Sequence, residues 1–274
     1  MPTARIGDAT LHYLDAGGGG EAVLLLHAFP LSSAMWEPLV KALSGRFRVI
    51  APDYRGLGQS RPAPEVTTMA SIVGDVRTLL RMLGVRSVAV AGLSMGGYVA
   101  FDLWRRAPEL VRALALCDTR ATPDTPEGRA GRETFAQNAL ARGLAWVADD
   151  FTPRLLRPSP DPAVVAQVKE LVMGGTPEGV TAAQRGMGQR PDSVPTLARI
   201  QVPTLVVVGE QDQLTPPSDA RVMQQGIPGA RLAVIPGAGH LPVLEAPAAF
   251  AQAVSSFFAA AGPAQPKRPG PFAG

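Results

Sequence analysis

Along most of this chain, short runs of consecutive apolar residues alternate with longer stretches whose apolar residues recur at helical spacing. The runs are Ala22–Leu26, Phe47–Ala51, Ser87–Ala91, Val111–Leu116 and Pro203–Val208. A strand apolar at nearly every position has no wet face, so it must be covered on both sides. The intervening segments supply the cover. Met35–Leu43 reads as a helix, and Met69–Leu83 places Ile72, Val73, Val76, Leu79, Leu80 and Leu83 on one stripe. Gly96–Arg106 reads as a helix that Pro108 stops. Leu11–Asp15 predicts an early strand near the edge, Ala230–Ile235 a last strand and Pro247–Ala260 a closing helix. Strand–helix alternation of this kind predicts an α/β protein with a mostly parallel sheet.

The alternation breaks between about Thr119 and Pro195. That stretch is rich in Arg, Ala, Pro and Gly, has helical pieces at Arg132–Val147 and Ala163–Met173, and shows no buried strand. The expected division is therefore a core of 1–118 and 196–262 with a helical cap at 119–195. Residues 263–274, with five of the chain's proline, lysine and arginine residues between Pro266 and Pro271, cannot bury a core and are expected to be disordered.

Composition removes several classes of function. With 46% hydrophobic and 18% charged residues the chain is globular. Its net charge is +3, but the arginines are scattered, without basic runs or interleaved aromatics, so no nucleic-acid partner is expected. No apolar run approaches the roughly 20 residues of a membrane span. The first residues carry no apolar signal segment, so a soluble cytoplasmic protein is expected. The single cysteine, Cys117, ends an apolar run and reads as a buried structural thiol that forms no intramolecular disulfide.

Gly92-Leu93-Ser94-Met95-Gly96 fits the pattern G-x-S-x-G. In a chain with 29 glycines such a short match arises by chance in roughly one case in eight. Its setting carries more weight, because a buried strand precedes Ser94 and a helix follows it. A sharp strand-to-helix turn lifts the serine hydroxyl clear of the sheet, and the small residues on either side make room for the turn. Ser94 is thus the candidate nucleophile. His240, in the glycine-rich loop after the last strand, is the candidate base that takes its proton. A carboxylate must then hold the imidazole in the right tautomer. Asp212, after Pro203–Val208, is the choice; Asp118, after Val111–Leu116, is the rival. Glu210 lies closer to the strand and reads as a residue that packs there or caps the turn.

Taken with His27-Ala28-Phe29-Pro30 and Asp53-Tyr54-Arg55-Gly56-Leu57-Gly58-Gln59-Ser60, these motifs resemble the α/β-hydrolase-fold enzymes from about Arg5 to Ala260. Small carboxylesterases, 3-oxoadipate-type enol-lactonases and cofactor-free haloperoxidases or perhydrolases are nearest in texture. The resemblance implies an eight-stranded, mostly parallel sheet flanked by helices, with the cap inserted between core strands. It implies an oxyanion hole from the backbone N–H groups of Phe29 and Met95, acyl transfer on a small ester or lactone, and no cofactor or metal. Ala28 stands where the family usually has Gly, which puts the shape of that loop in question. His27, Asp53 and Arg55 read as structural anchors. Trp36, Leu214 and Leu241 flank the catalytic loops and Trp146 lies in the insert; each is a candidate for the substrate pocket, with core packing as the alternative. The insert's arginines offer either a solvated helix face or an attraction for a carboxylated substrate. A non-catalytic hydrolase-fold receptor would keep the same residues, so that class stays open beside esterase, lactonase and perhydrolase.

Overall fold

Strands β3 (Ala22–Leu26), β5 (Val88–Leu93) and β7 (Thr204–Gly209) are buried at every position, which is what almost wholly apolar runs require in a sheet covered on both faces. The computed structural model describes residues 2–262. Around those strands lie β1 (Thr3–Ile6), β2 (Ala9–Ala16), β4 (Arg48–Pro52), β6 (Val111–Cys117) and β8 (Arg231–Ile235), in the order β1-β2-β4-β3-β5-β6-β7-β8. β1 and β2 pair antiparallel, as do β2 and β4; every other pair is parallel. The helices α1 (Glu37–Leu43), α2 (Met69–Met82) and α3 (Met95–Arg106) lie between β3 and β6. Four more follow β6: α4 (Pro126–Leu155), α5 (Pro162–Met173), α6 (Pro177–Gly188) and α7 (Val194–Leu197). After β7 come α8 (Pro217–Gly226), α9 (Pro242–Glu245) and α10 (Pro247–Ala261). This is the α/β-hydrolase architecture, with a helical cap between β6 and β7. Among the described residues, no helix is long and apolar enough to cross a membrane.

The cap differs from its sequence reading in two places. The segment Arg132–Val147, read as one helix, is bent inside α4, because Gly143 adopts φ 76°. α6 was not anticipated, since its three glycines argue against a helix. Those glycines let it dock: a Cβ on Gly179 would lie 2.0 Å from the Gly56 carbonyl oxygen, and one on Gly186 1.8 Å from that of Thr67. Thr176 caps α6 by accepting from the Gly179 N–H, and Thr67 donates its N–H to the Ala182 carbonyl. The expected disordered tail lies outside the described residues.

A polar cluster ties the cap together. Asp124, in the loop between β6 and α4, pairs with Arg132 of α4 and with Arg190 beyond α6. Arg190 also stacks over the Tyr98 ring of α3 at 4.3 Å. Burial opposes ionisation of Asp124, but the two guanidinium groups more than offset it and hold the carboxyl well below its ordinary 3.8. With the folded pKa below the unfolded one, this stabilisation is complete above about pH 4 and is lost as the pH falls below it. Asp124→Asn leaves two cations unneutralised and is expected to lower stability by about 2–4 kcal/mol at pH 7. Thermal unfolding should show the gap to wild type shrinking below pH 4; a constant gap from pH 7 to pH 3 contradicts this account.

Candidate active site

Five loops leave the carboxyl ends of neighbouring strands β3, β5, β6, β7 and β8, the usual place for a site in a parallel sheet. They carry Phe29, Ser94, Asp118, Asp212 and His240.

Ser94 sits between β5 and α3 with φ 56° and ψ −114°, a strained conformation for a residue with a Cβ. Its backbone is pinned on several sides. The N–H donates to the Cys117 carbonyl at 2.9 Å, and the carbonyl accepts from the Gly97 N–H and from Thr119 Oγ1 at 2.8 Å. The turn closes only because the flanking residues are glycines. A Cβ on Gly92 would lie 2.4 Å from the Gly96 carbonyl oxygen, and one on Gly96 2.0 Å from that of Leu26. The crowding couples the serine turn to β3, whose following loop bears Phe29. Met95 is the first residue of α3, so its N–H has no acceptor within the helix and lies at the positive end of the helix dipole.

His240 and Asp212 are both buried and joined by a 2.8 Å hydrogen bond from Nδ1 to Oδ2. Asp212 Oδ2 also accepts from Thr215 Oγ1 at 2.7 Å, and Oδ1 accepts from the N–H groups of Leu214 and Thr215. Burial opposes ionisation of this carboxyl. His240's charge and the hydrogen bonds from His240 and Thr215 outweigh that, so its pKa is lowered. With Nδ1 engaged, the His240 ring presents Nε2, which has no hydrogen-bond partner among the described residues.

Asp118 lies beside this pair without joining it. Ligand atoms of Asp118, Asp212 and His240 all fall within 4.8 Å of one another. Asp118 Oδ1 accepts from the Gly209 N–H at 2.8 Å, and burial together with the Asp212 charge pushes its pKa well above the ordinary value. The same buried cluster thus favours the charged form of Asp212 and disfavours that of Asp118. A metal fits it poorly: the four acceptor positions of Asp212 are taken by protein donors, and His240 Nδ1 is taken by Asp212.

A cavity of about 240 Å³ opens over these residues. Ser94, His240, Phe29, Leu214 and Thr215 line it from the core; Arg132, Phe135, Phe151, Arg154, Gln184 and Met187 line it from α4 and α6. Of the four side chains predicted for the pocket, Leu214 is in the lining and three are not. Trp36 is fully buried and packs against Phe250 of α10. Leu241 is fully buried where the chain turns into α9. Trp146 stacks against Phe135, 5.0 Å between ring centres, with Arg142 over it, and is not itself in the lining. Proximity in sequence to the loops, or membership of the cap, did not determine which way these side chains faced.

Several supporting residues escaped the sequence reading. Glu245 accepts from the N–H groups of Gly239, Leu241 and Arg157, and so holds both flanks of His240 and a cap residue. A glutamate in the first turn after Pro242 was the available signal, of the kind that marks helix starts. Thr215 and Thr119 are others. The anchors behave as expected. His27 donates from Nδ1 to the Ala28 carbonyl, accepts at Nε2 from the Tyr54 N–H, and stacks on Tyr54 at 3.8 Å; burial lowers its pKa and keeps it neutral. Asp53 accepts from His12, Ser33 and Gln59, and Glu210 accepts from the Gly237 N–H. Ala28 is accommodated without exposure, its N–H directed at the Met35 sulfur at 3.3 Å.

Comparison with known proteins agrees with this fold. A family model described as "alpha/beta hydrolase fold" matches residues 21–247. The chain is 32% identical over 253 residues to pimeloyl-[acyl-carrier protein] methyl ester esterase of Nitrosomonas europaea, covering 88% of this chain and 97% of that protein. It is 30% identical over 266 residues to 3-oxoadipate enol-lactonase 1 of Acinetobacter baylyi, covering 94% and 96%. Among solved structures, a thermophilic esterase from Thermogutta terrifontis with malate bound superposes with a TM-score of 0.90 at 39% identity, over 94% of this chain and 96% of that one.

Proposed function

The chain belongs to the α/β-hydrolase fold family and is esterase-like; from that premise we propose that it hydrolyses small carboxylic esters through an acyl-enzyme formed on Ser94. One observation carries the reading above the rest. The Asp212–His240 pair leaves an unpartnered imidazole nitrogen in the same cavity as a serine held at positive φ.

Ser94 Oγ attacks the ester carbonyl carbon as His240 Nε2 takes its proton. The carbonyl oxygen becomes an oxyanion and accepts hydrogen bonds from the Phe29 and Met95 N–H groups, donors that reorganise little during the reaction. Asp212 keeps the Nδ1 proton in place and stabilises the imidazolium. The intermediate expels the alcohol, which takes the proton from His240. Water then attacks the acyl group with His240 as base, releasing the acid and restoring Ser94. Residues 119–195 act as the cap that closes the acyl site over the core of 1–118 and 196–262. A lactone would follow the same steps, its alcohol remaining tethered to the acyl group, and one relative is named for that activity.

A fluorophosphonate probe separates an enzyme of this kind from a receptor built on the same scaffold. Ser94 Oγ should attack its phosphorus and expel fluoride, with the hydroxyl proton passing to His240, and Ser94 alone should carry the adduct, as read by mass spectrometry of the digested protein. Absence of a Ser94 adduct at millimolar probe, with the protein folded, rules out an activated serine.

A further inference from the structure

A second cavity, of about 360 Å³, lies between the core and the cap and shares no lining residue with the cavity over Ser94. His12 of β2 and Asp53, in the loop after β4, line it from the core, and Glu170 of α5 lines it from the cap. Its volume is within the range of small-molecule sites.

His12 is fixed there with one polar atom to spare. Its side chain is only 5% exposed. The backbone N–H donates to Ser60 Oγ, and the carbonyl accepts from the Asp53 N–H. The ring donates from Nδ1 to Asp53 Oδ2 at 2.8 Å. Asp53 also accepts from the N–H groups of Ser33 and Gln59, so every contact to this carboxyl comes from a donor and the shared proton belongs to His12. In the neutral ring Nε2 is then an acceptor, and it is buried without a partner among the described residues. Such an acceptor has given up water for nothing until a donor reaches it, and the cavity is the way in.

The rest of the lining selects the donor. Glu37 and Glu170 line the cavity at exposed positions and make no ion pair among the described residues. Gly174 brings the negative, C-terminal end of α5 into the same wall. No lysine or arginine is in the lining; Arg61 reaches the Gly58 and Gly174 backbone nearby, but its guanidinium donates to their carbonyls. The cavity thus gathers acceptors and negative charge without a cation of its own. These acceptors are too dispersed for one metal ion: among the described residues only Asp118, Asp212 and His240 bring three ligand atoms within 4.8 Å of one another. A cation with N–H groups at both ends of a short chain can reach them.

We propose that this cavity binds a small organic cation of the aliphatic diamine class, one ammonium donating to His12 Nε2 and the other pairing with Glu37 and Glu170. The occupant joins α5 of the cap to β2 of the core, so it stabilises the folded chain by mass action. This site stands apart from the hydrolase reading, and failure of one leaves the other untouched.

The test is calorimetric titration of the full chain with three probes of equal chain length: putrescine, the butanediol with terminal hydroxyls, and the bis(trimethylammonium) analogue, which keeps both charges but has no N–H. Putrescine is expected to bind at least tenfold more tightly than either of the others. Equal binding of the diol overturns the need for charge, equal binding of the methylated dication overturns donation to His12, and either result overturns the proposal, as does the absence of binding at millimolar putrescine. The chain has three histidines, so nitrogen-15 NMR of histidine-labelled protein locates the ligand. Putrescine should shift the Nε2 resonance of His12 and leave that of His240 in place; the reverse would put the amine over Ser94 and overturn the proposal. His12→Phe should weaken putrescine binding at least tenfold. Should that variant fail to fold, the double variant Glu37→Gln with Glu170→Gln, changed only at exposed positions, decides: a fivefold or greater loss is expected, and unaltered binding overturns the proposal.

Discussion

Ser94→Ala is expected to lower kcat/KM toward short esters by about 10⁴-fold or more, while thermal unfolding moves by no more than about 3 °C. The two halves of this expectation have separate physical origins. The hydroxyl forms the bond to the acyl carbon, and no nearby group substitutes for it: Thr119 Oγ1 is spent on the Ser94 carbonyl and Thr215 Oγ1 on Asp212. What activity persists would come from the oxyanion donors and from holding substrate beside water. Stability is a different matter, because the strained φ of 56° is imposed by backbone bonds to Cys117, Gly97 and Thr119, none of which uses the hydroxyl. Alanine carries the same Cβ, so the strain is neither relieved nor increased. Activity above about one part in a hundred of wild type would mean that the ester bond is broken by another route.

How much of this was legible in the chain depended on whether the signal was local. β3, Ala22–Leu26, was readable to the residue because a central parallel strand buries both faces and tolerates no polar position. Ser94 was readable because the turn that exposes it also demands Gly92 and Gly96 at fixed spacing. α6 was not, since the glycines that count against a helix are demanded by the loops it packs on, a tertiary reason that no window of sequence contains. The cavity wall was hidden for a similar reason. Trp36, Trp146 and Leu241 look like pocket residues by type and neighbourhood, but Trp36 and Leu241 are fully buried outside the lining and Trp146 is stacked on Phe135. Glu245 is informative only once the Gly239, Leu241 and Arg157 N–H groups are found pointing at it.

The choice between the two acids, open in the sequence, becomes an experiment with opposite outcomes for two isosteric changes. In Asp212→Asn the N–H groups of Leu214 and Thr215 still require an acceptor, so the amide carbonyl takes the Oδ1 place. The NH₂ then faces His240 Nδ1 and donates to it. That reverses the tautomer: the ring proton moves to Nε2, and the nitrogen facing the cavity can no longer accept the serine proton. A loss of about 10³–10⁴ in kcat is expected at neutral pH. In Asp118→Asn the carbonyl keeps the Gly209 N–H and the NH₂ takes the place of the other oxygen, at a position where burial already disfavours a charge. Its backbone, at φ 42°, is a conformation that asparagine adopts readily. The Nδ1 bond of His240 goes to Asp212 and is untouched by the change, so kcat should fall less than about tenfold, well short of the tautomer effect. Steady-state kinetics of the two variants, with circular dichroism to establish folding, reads the comparison directly. Equal losses, or a larger loss for Asp118→Asn, would make Asp118 the residue that orients His240, and the bond seen from Asp212 would then be a structural one.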